Sequence, residues 1–183
     1  RVLFRSAVVG RDLFSAALRE TLLQFEQAKN FGSLIVPKLR DPAETLRVVE
    51  ARDFAGDLLL KEVQERVMAV LRMAEALSPK YHVVVANPPY MGGKGMNGPL
   101  AEWLKNKYPD EKSDLFSAFI ARGFNLTVAT GLSAMVTMES WMFLASMEKL
   151  RAKVLDDAVI KTLTHMPYLG RGGTSMGINF GTS

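Results

Sequence analysis

The chain has 183 residues, 48% of them apolar and 23% charged, a balance that excludes a disordered or fibrous protein and suits one domain or part of a larger one. It has no cysteine, which excludes disulfides, thiolate-held zinc and a thiol nucleophile, and its 2 histidines, His82 and His165, stand far apart, so no metal site is expected. The net charge of +4 and pI near 9.4 suit a polyanionic partner without singling one out, and without a membrane-length apolar run or a leader-like start the expected location is the cytoplasm, with no membrane partner.

In chain order, residues 11–30 place Leu13, Phe14, Ala17, Leu18, Leu22 and Phe25 at helical spacing, predicting a surface helix packed on a core. Leu34-Ile35-Val36 is a short apolar stretch stopped by Pro37. Asp41-Pro42-Ala43-Glu44 reads as a helix start, with Asp41 as cap, Pro42 in the first position and Glu44 where a capping-box acid belongs, and the helix is expected to reach about Phe54. Gly56 interrupts, and residues 57–77 resume the helical period.

Beyond Pro79 the pattern changes. Val83-Val84-Val85-Ala86 predicts a strand buried on both faces of a parallel sheet. A helix is expected near 113–128, closed by Gly131, then a second buried strand over Leu132–Met138. Residues 141–155 predict another helix, Ala158–His165 a third strand and Ile178–Phe180 the edge of a fourth. Alternating strands and helices predict a doubly wound α/β sheet, whose ligands lie just beyond the carboxyl ends of the strands.

Asn87-Pro88-Pro89-Tyr90 stands at that position, and such a tetrapeptide arises by chance in roughly one chain in a few thousand of this length. An exocyclic amine on an aromatic ring is a poor nucleophile, because its lone pair is delocalised. Acceptors on its N–H groups aim the pair at an electrophilic methyl group, and the Asn87 side-chain oxygen and the Pro88 carbonyl are such acceptors. The two prolines restrict the backbone and remove competing donors, while Tyr90 offers a flat face for an extruded base. The plainer alternative is a turn in which the prolines end a strand, Asn87 caps and Tyr90 packs.

Gly92-Gly93-Lys94-Gly95-Met96-Asn97-Gly98 follows, either a loop that closes over base or phosphate with Lys94 on the backbone, or a flexible connection. Lys105, Lys107 and Lys112 are offset by Glu102, Asp110 and Glu111 and read as a solvated face. Past Asp157 there are no acidic residues, while Lys161, His165 and Arg171 remain, so this stretch is a candidate phosphate-facing segment. Met135, Met138, Met142 and Met147 read as core. Ser140 is a candidate helix cap, and Trp141 either walls the base pocket or packs the core.

With these residues in place, the chain resembles the amino-methyltransferases of bacterial DNA modification, in particular the PglX-type adenine methyltransferases of BREX phage-defence systems. The resemblance is carried by Val83–Asn97, Lys112-Ser113-Asp114-Leu115-Phe116 and Ser140-Trp141-Met142-Phe143-Leu144, with a looser likeness over residues 1–80. It implies a partial Rossmann-like class I methyltransferase domain over residues 81–183, a mostly parallel sheet with helices on both faces, preceded by a mainly helical segment over 1–80. It further implies S-adenosylmethionine as cofactor, double-stranded DNA with a flipped adenine as substrate, and other phage-defence proteins as partners. The target adenine falls to Asn87, Pro88, Pro89 and Tyr90, with Gly93, Lys94, Gly95, Asn97 and Trp141 as further candidates for substrate or DNA contact. The family's glycine-rich cofactor loop precedes the tetrapeptide, and no such loop appears before residue 81, so the chain is read as a fragment starting after it. Alternatives are methylation of a protein glutamine or an RNA amine, or an inactive DNA-binding or assembly module of a defence complex.

Overall fold

Aspartates decide where two helices of the N-terminal part begin. In the computed structural model, which describes residues 16–54 and 56–166, the chain divides into two compact units at Pro79 and Lys80. Within the first unit, Asp41 Oδ1 accepts from the Glu44 amide (2.9 Å) and opens α3 (Pro42–Glu50), and Asp57 Oδ1 accepts from Leu59 and Leu60 to open α4 (Leu58–Leu77). Only half of the expected capping box forms, because Glu44 turns to Arg47 (3.4 Å). Helix α3 also stops short of Phe54: the Gln64 amide of α4 donates to Val49 O (2.7 Å) and Arg52 O (2.8 Å), taking up carbonyls where the helix ends.

The single helix expected over 11–30 is two within the described residues, α1 (Ala16–Phe25) and the one-turn α2 (Ala28–Phe31), residues 11–15 lying outside them. The break falls at Glu26-Gln27, where Gln27 accepts from the Asn30 side chain (2.7 Å) and starts a new turn. Gly32, at a φ of 52° that glycine adopts without steric cost, leads into a 3-10 turn, Gly32–Leu34. The extended segment after it is fastened to α1, since buried Thr21 accepts from the Lys38 and Leu39 amides. Leu18, Leu46, Val49, Val67 and Leu71 form the core of this unit, with Leu22, Leu39, Val63 and Met68 packed around them. Leu71 is fully buried, so its loss to alanine would cost about 2–5 kcal/mol.

The second unit is α/β. Strands β1 (Tyr81–Ala86) and β2 (Thr127–Met135) are parallel neighbours, joined through α5 (Gly98–Lys107) and α6 (Leu115–Leu126), the arrangement of a partial Rossmann-like domain. Gly131 does not close α6, which runs directly into β2; it lies inside the strand. Tyr81 pairs with Thr127 and Val83 with Leu132, so two steps along β1 match five along β2 and three residues bulge. A Cβ at Gly131 would stand 2.8 Å from His82 O, which is why the bulge holds glycine. Gly123 likewise lets α6 lie close on β2, for a side chain there would strike Met135 and Ser133.

That packing identifies the covered face: Ser133 and Met135, with their register partners Val84 and Ala86, lie toward α6. The expectation of a strand buried on both faces is corrected on the other side, where Val83, Val85 and Leu132 are 60%, 74% and 55% exposed. A β-branched run specifies a strand, but burying it twice takes a helix layer on each side, and among the described residues α6 supplies one.

The helix expected at 141–155 is two short 3-10 turns, Glu139–Met142 and Ala145–Met147, followed by α7 (Glu148–Asp157). Arg151 on α7 explains the interruption, donating to Trp141 O (3.0 Å) and Leu144 O (2.6 Å), carbonyls a continuous helix would keep. Of the four methionines read as core, Met147 is buried, while Met135, Met138 and Met142 are half-buried. Residues 158–165 form no strand: Val159, Ile160 and Leu163 are exposed, and among the described residues no neighbouring strand pairs with them. The fourth strand candidate, 178–180, and Arg171 lie outside the described residues. No helix among the described residues is long and apolar enough to cross a membrane.

Candidate active site

The ladder between β1 and β2 continues one step past Ala86, whose carbonyl accepts from the Val136 amide (3.2 Å). Because the strands are parallel, the segments after Ala86 and after Met135 leave the sheet at the same end, which places Asn87-Pro88-Pro89-Tyr90 and the Ser140-Trp141 turn at the carboxyl edge where α/β sheets bind ligands. Asn87 is exposed and, among the described residues, its side chain has no hydrogen-bond partner. Pro88 is buried, Pro89 exposed and Tyr90 half-buried.

Helix α6 holds the far end of the tetrapeptide. Asp114 Oδ1 accepts from the Met91 amide (3.0 Å) and from the Phe116 amide (3.3 Å), the latter capping α6. The Leu115 amide donates back to Met91 O (3.0 Å), and Gly92 and Asp114 form an isolated antiparallel bridge. The Tyr90 ring meets Phe116 edge-on, at 6.2 Å between centroids and 88° between planes, the favoured geometry for an aromatic pair. Burial raises the Tyr90 hydroxyl above its usual range. Burial also raises the Asp114 carboxyl, against the lowering pull of the Met91, Phe116 and Leu115 amides.

The glycine loop is differently placed. Gly93, Lys94 and Gly95 are exposed, and Gly95 N donates to Gly92 O (2.8 Å) in a tight turn. Asn97, a candidate for substrate contact, is the cap of α5, its Oδ1 accepting from Leu100 (2.9 Å). That local bond ties its side-chain oxygen to the helix start. Trp141 is half-buried, its carbonyl held by Arg151.

Among the charged groups, Lys105, Lys107 and Lys112 are exposed, as a solvated face requires. Glu111 is not part of that face: it is buried and paired with Lys153 (3.1 Å). His165 bonds Glu139 (2.6 Å), so it does not stand open for phosphate. Sequence reasoning overlooked Asp114 and Phe116 as parts of the site. The available signal was an aspartate immediately ahead of an apolar helix, which marks a cap but says nothing of what else the carboxylate reaches.

Residues 16–169 match the family model described as Eco57I restriction-modification methylase. The chain belongs to that family. It is 43% identical over 152 residues to an adenine-specific methyltransferase, BrxX, of Escherichia coli O9:H4 (strain HS), covering 81% of this chain and 13% of that protein. It is 34% identical over 174 residues to an adenine-specific methyltransferase, PglX, of Lacticaseibacillus casei (strain Zhang), covering 91% of this chain and 14% of the relative. The chain thus spans about one seventh of the relatives it matches. Membership of a methylase family implies a methyl donor.

Proposed function

We propose that this chain carries the target-base side of a DNA methyltransferase acting on the N6 amine of adenine, and that the intact protein marks host DNA for phage defence in the cytoplasm, with other defence proteins as partners. The supporting observation is Asn87, exposed and without a partner among the described residues, at the carboxyl end of β1 and three residues before a braced aromatic ring. In this reading an adenine flipped out of duplex DNA stacks on Tyr90, an interaction worth about 1–3 kcal/mol that offsets part of the unstacking cost. Asn87 Oδ1 and the Pro88 carbonyl would accept from the amine's N–H groups, aiming its lone pair and offsetting the positive charge that methylation places on nitrogen. S-adenosylmethionine supplies the electrophilic methyl group when bound. The described residues fit the acceptor amine; they offer no glycine-rich cradle ahead of β1 for the donor's nucleoside, so this chain by itself should show little affinity for S-adenosylmethionine. Calorimetry giving micromolar binding would contradict that.

Both relatives are named as adenine-specific methyltransferases, which supports adenine as the base. The test is N6-methyladenine in DNA from cells carrying the intact protein or its Asn87→Ala variant. Loss of a sequence-specific mark in the variant is expected. A wild-type protein that leaves DNA unmodified while a protein glutamine or an RNA amine gains a methyl group would shift the substrate to that class.

A further inference from the structure

The described part of this chain opens four of its helices on a side-chain cap, three of them on aspartate, and one aspartate is unlike the others. Asp41 and Asp57 are exposed and accept only from amides of their own helices. Asp114 is 7% exposed, and the oxygen that caps α6 also accepts from Met91, 23 residues earlier and directly after Tyr90. A cap alone does not require a buried carboxylate, and burying one is unfavourable unless it is hydrogen-bonded. The Met91 bond is what the exposed caps lack.

We infer that Asp114 is the positioning residue of the base site, its carboxylate fixing the Met91 amide and so the placement of the Asn87–Tyr90 segment against α6. This rests on the base-binding role proposed for Asn87–Tyr90. Three consecutive residues act together, for Asp114 holds Met91 N, Leu115 N holds Met91 O, and Phe116 braces the Tyr90 ring. Downstream of the clamp Gly92 lies against the same carboxylate, a Cβ there being 3.5 Å from Asp114 Oδ2. The segment between β1 and Met91 is therefore tied at both ends, by the ladder bond at Ala86 and by Asp114. Methyl transfer requires such fixing, since a displacement near 1 Å is enough to cost about a hundredfold in rate.

Three variants of the intact protein separate clamp from cap. Asp114→Asn keeps a carbonyl oxygen of the same reach and should retain kcat within about threefold, below the loss that misplacement brings. Asp114→Ser keeps a helix-capping hydroxyl but is too short to hold Met91; its thermal midpoint should stay near wild type while kcat falls about a hundredfold and KM for DNA changes little. Asp114→Ala should lose both activity and thermal stability. Amide exchange at Met91, read by mass spectrometry, should accelerate in the serine variant and not in the asparagine variant. Wild-type kcat in the serine variant, an asparagine variant as slow as the serine one, or unchanged exchange at Met91 would overturn the inference. If the wild-type protein modifies no adenine, the proposed function fails, and Met91 exchange still decides whether the clamp exists.

Discussion

Between Asn87 and Met91 the chain is fastened at both ends, by the Ala86 ladder bond and by the Asp114 and Leu115 bonds at Met91, whereas between Gly93 and Gly98 it forms a turn at Gly95 and the cap of α5 at Asn97. The first stretch holds a buried proline and a braced ring; the second exposes Gly93, Lys94 and Gly95. The two are separated only by Gly92 in sequence. The first is held by groups distant in sequence, and the second lies at the surface at Gly93, Lys94 and Gly95.

Four measurements would break or sharpen this contrast. The largest effect is expected from Asn87→Ala in the intact protein, a loss of about 10²–10³ in kcat from removing one stabilising group at the developing charge, measured as N6-methyladenine formed per enzyme. Tyr90→Ala should follow, with a loss of roughly 5- to 150-fold for stacking worth about 1–3 kcal/mol, and Tyr90→Phe should recover most of it. A Tyr90→Ala enzyme as fast as wild type would mean that Phe116 braces a ring with no part in base binding.

In the open loop, Lys94→Ala should weaken DNA binding across all sequences alike and lower the slope of log affinity against log salt by about one, with kcat at saturating DNA unchanged. Equal salt slopes in the two proteins would remove Lys94 from the phosphate backbone. The smallest effect concerns pH. Burial raises the Asp114 carboxyl above its ordinary 3.8, so the folded state binds a proton more readily than the unfolded one. Stability therefore falls as pH rises from 3.8 through the raised value and stays lowered above it. Asp114→Asn has no such dependence: it should be at least as stable as wild type at neutral pH, and the two should converge under acid conditions, as melting curves across pH would show.

Much of the fold was legible because it is set locally. Asp41 with Pro42 marked a helix start, Tyr81–Ala86 formed the strand that its β-branched run specified, and the Asn87–Tyr90 segment follows that strand's carboxyl end. Other readings failed where a distant group intervened. Gly131 resembled a helix stop because its reason for being glycine is the His82 carbonyl on another strand. The helix expected through 141–155 was divided by Arg151, whose guanidinium claims carbonyls at Trp141 and Leu144.

By itself, then, the sequence determined the kinds of elements, their capped starts and the chemistry available at Asn87–Tyr90, since these depend on neighbours within a few residues. Tertiary structure alone decided that Asp114 reaches Met91, that Phe116 braces Tyr90, that three residues bulge at Gly131 and that one face of the β1–β2 sheet stays exposed. The physical reason is common to all four: hydrogen bonds, ring contacts and burial are made by whichever groups the fold brings within a few ångströms, and sequence separation carries no record of that distance.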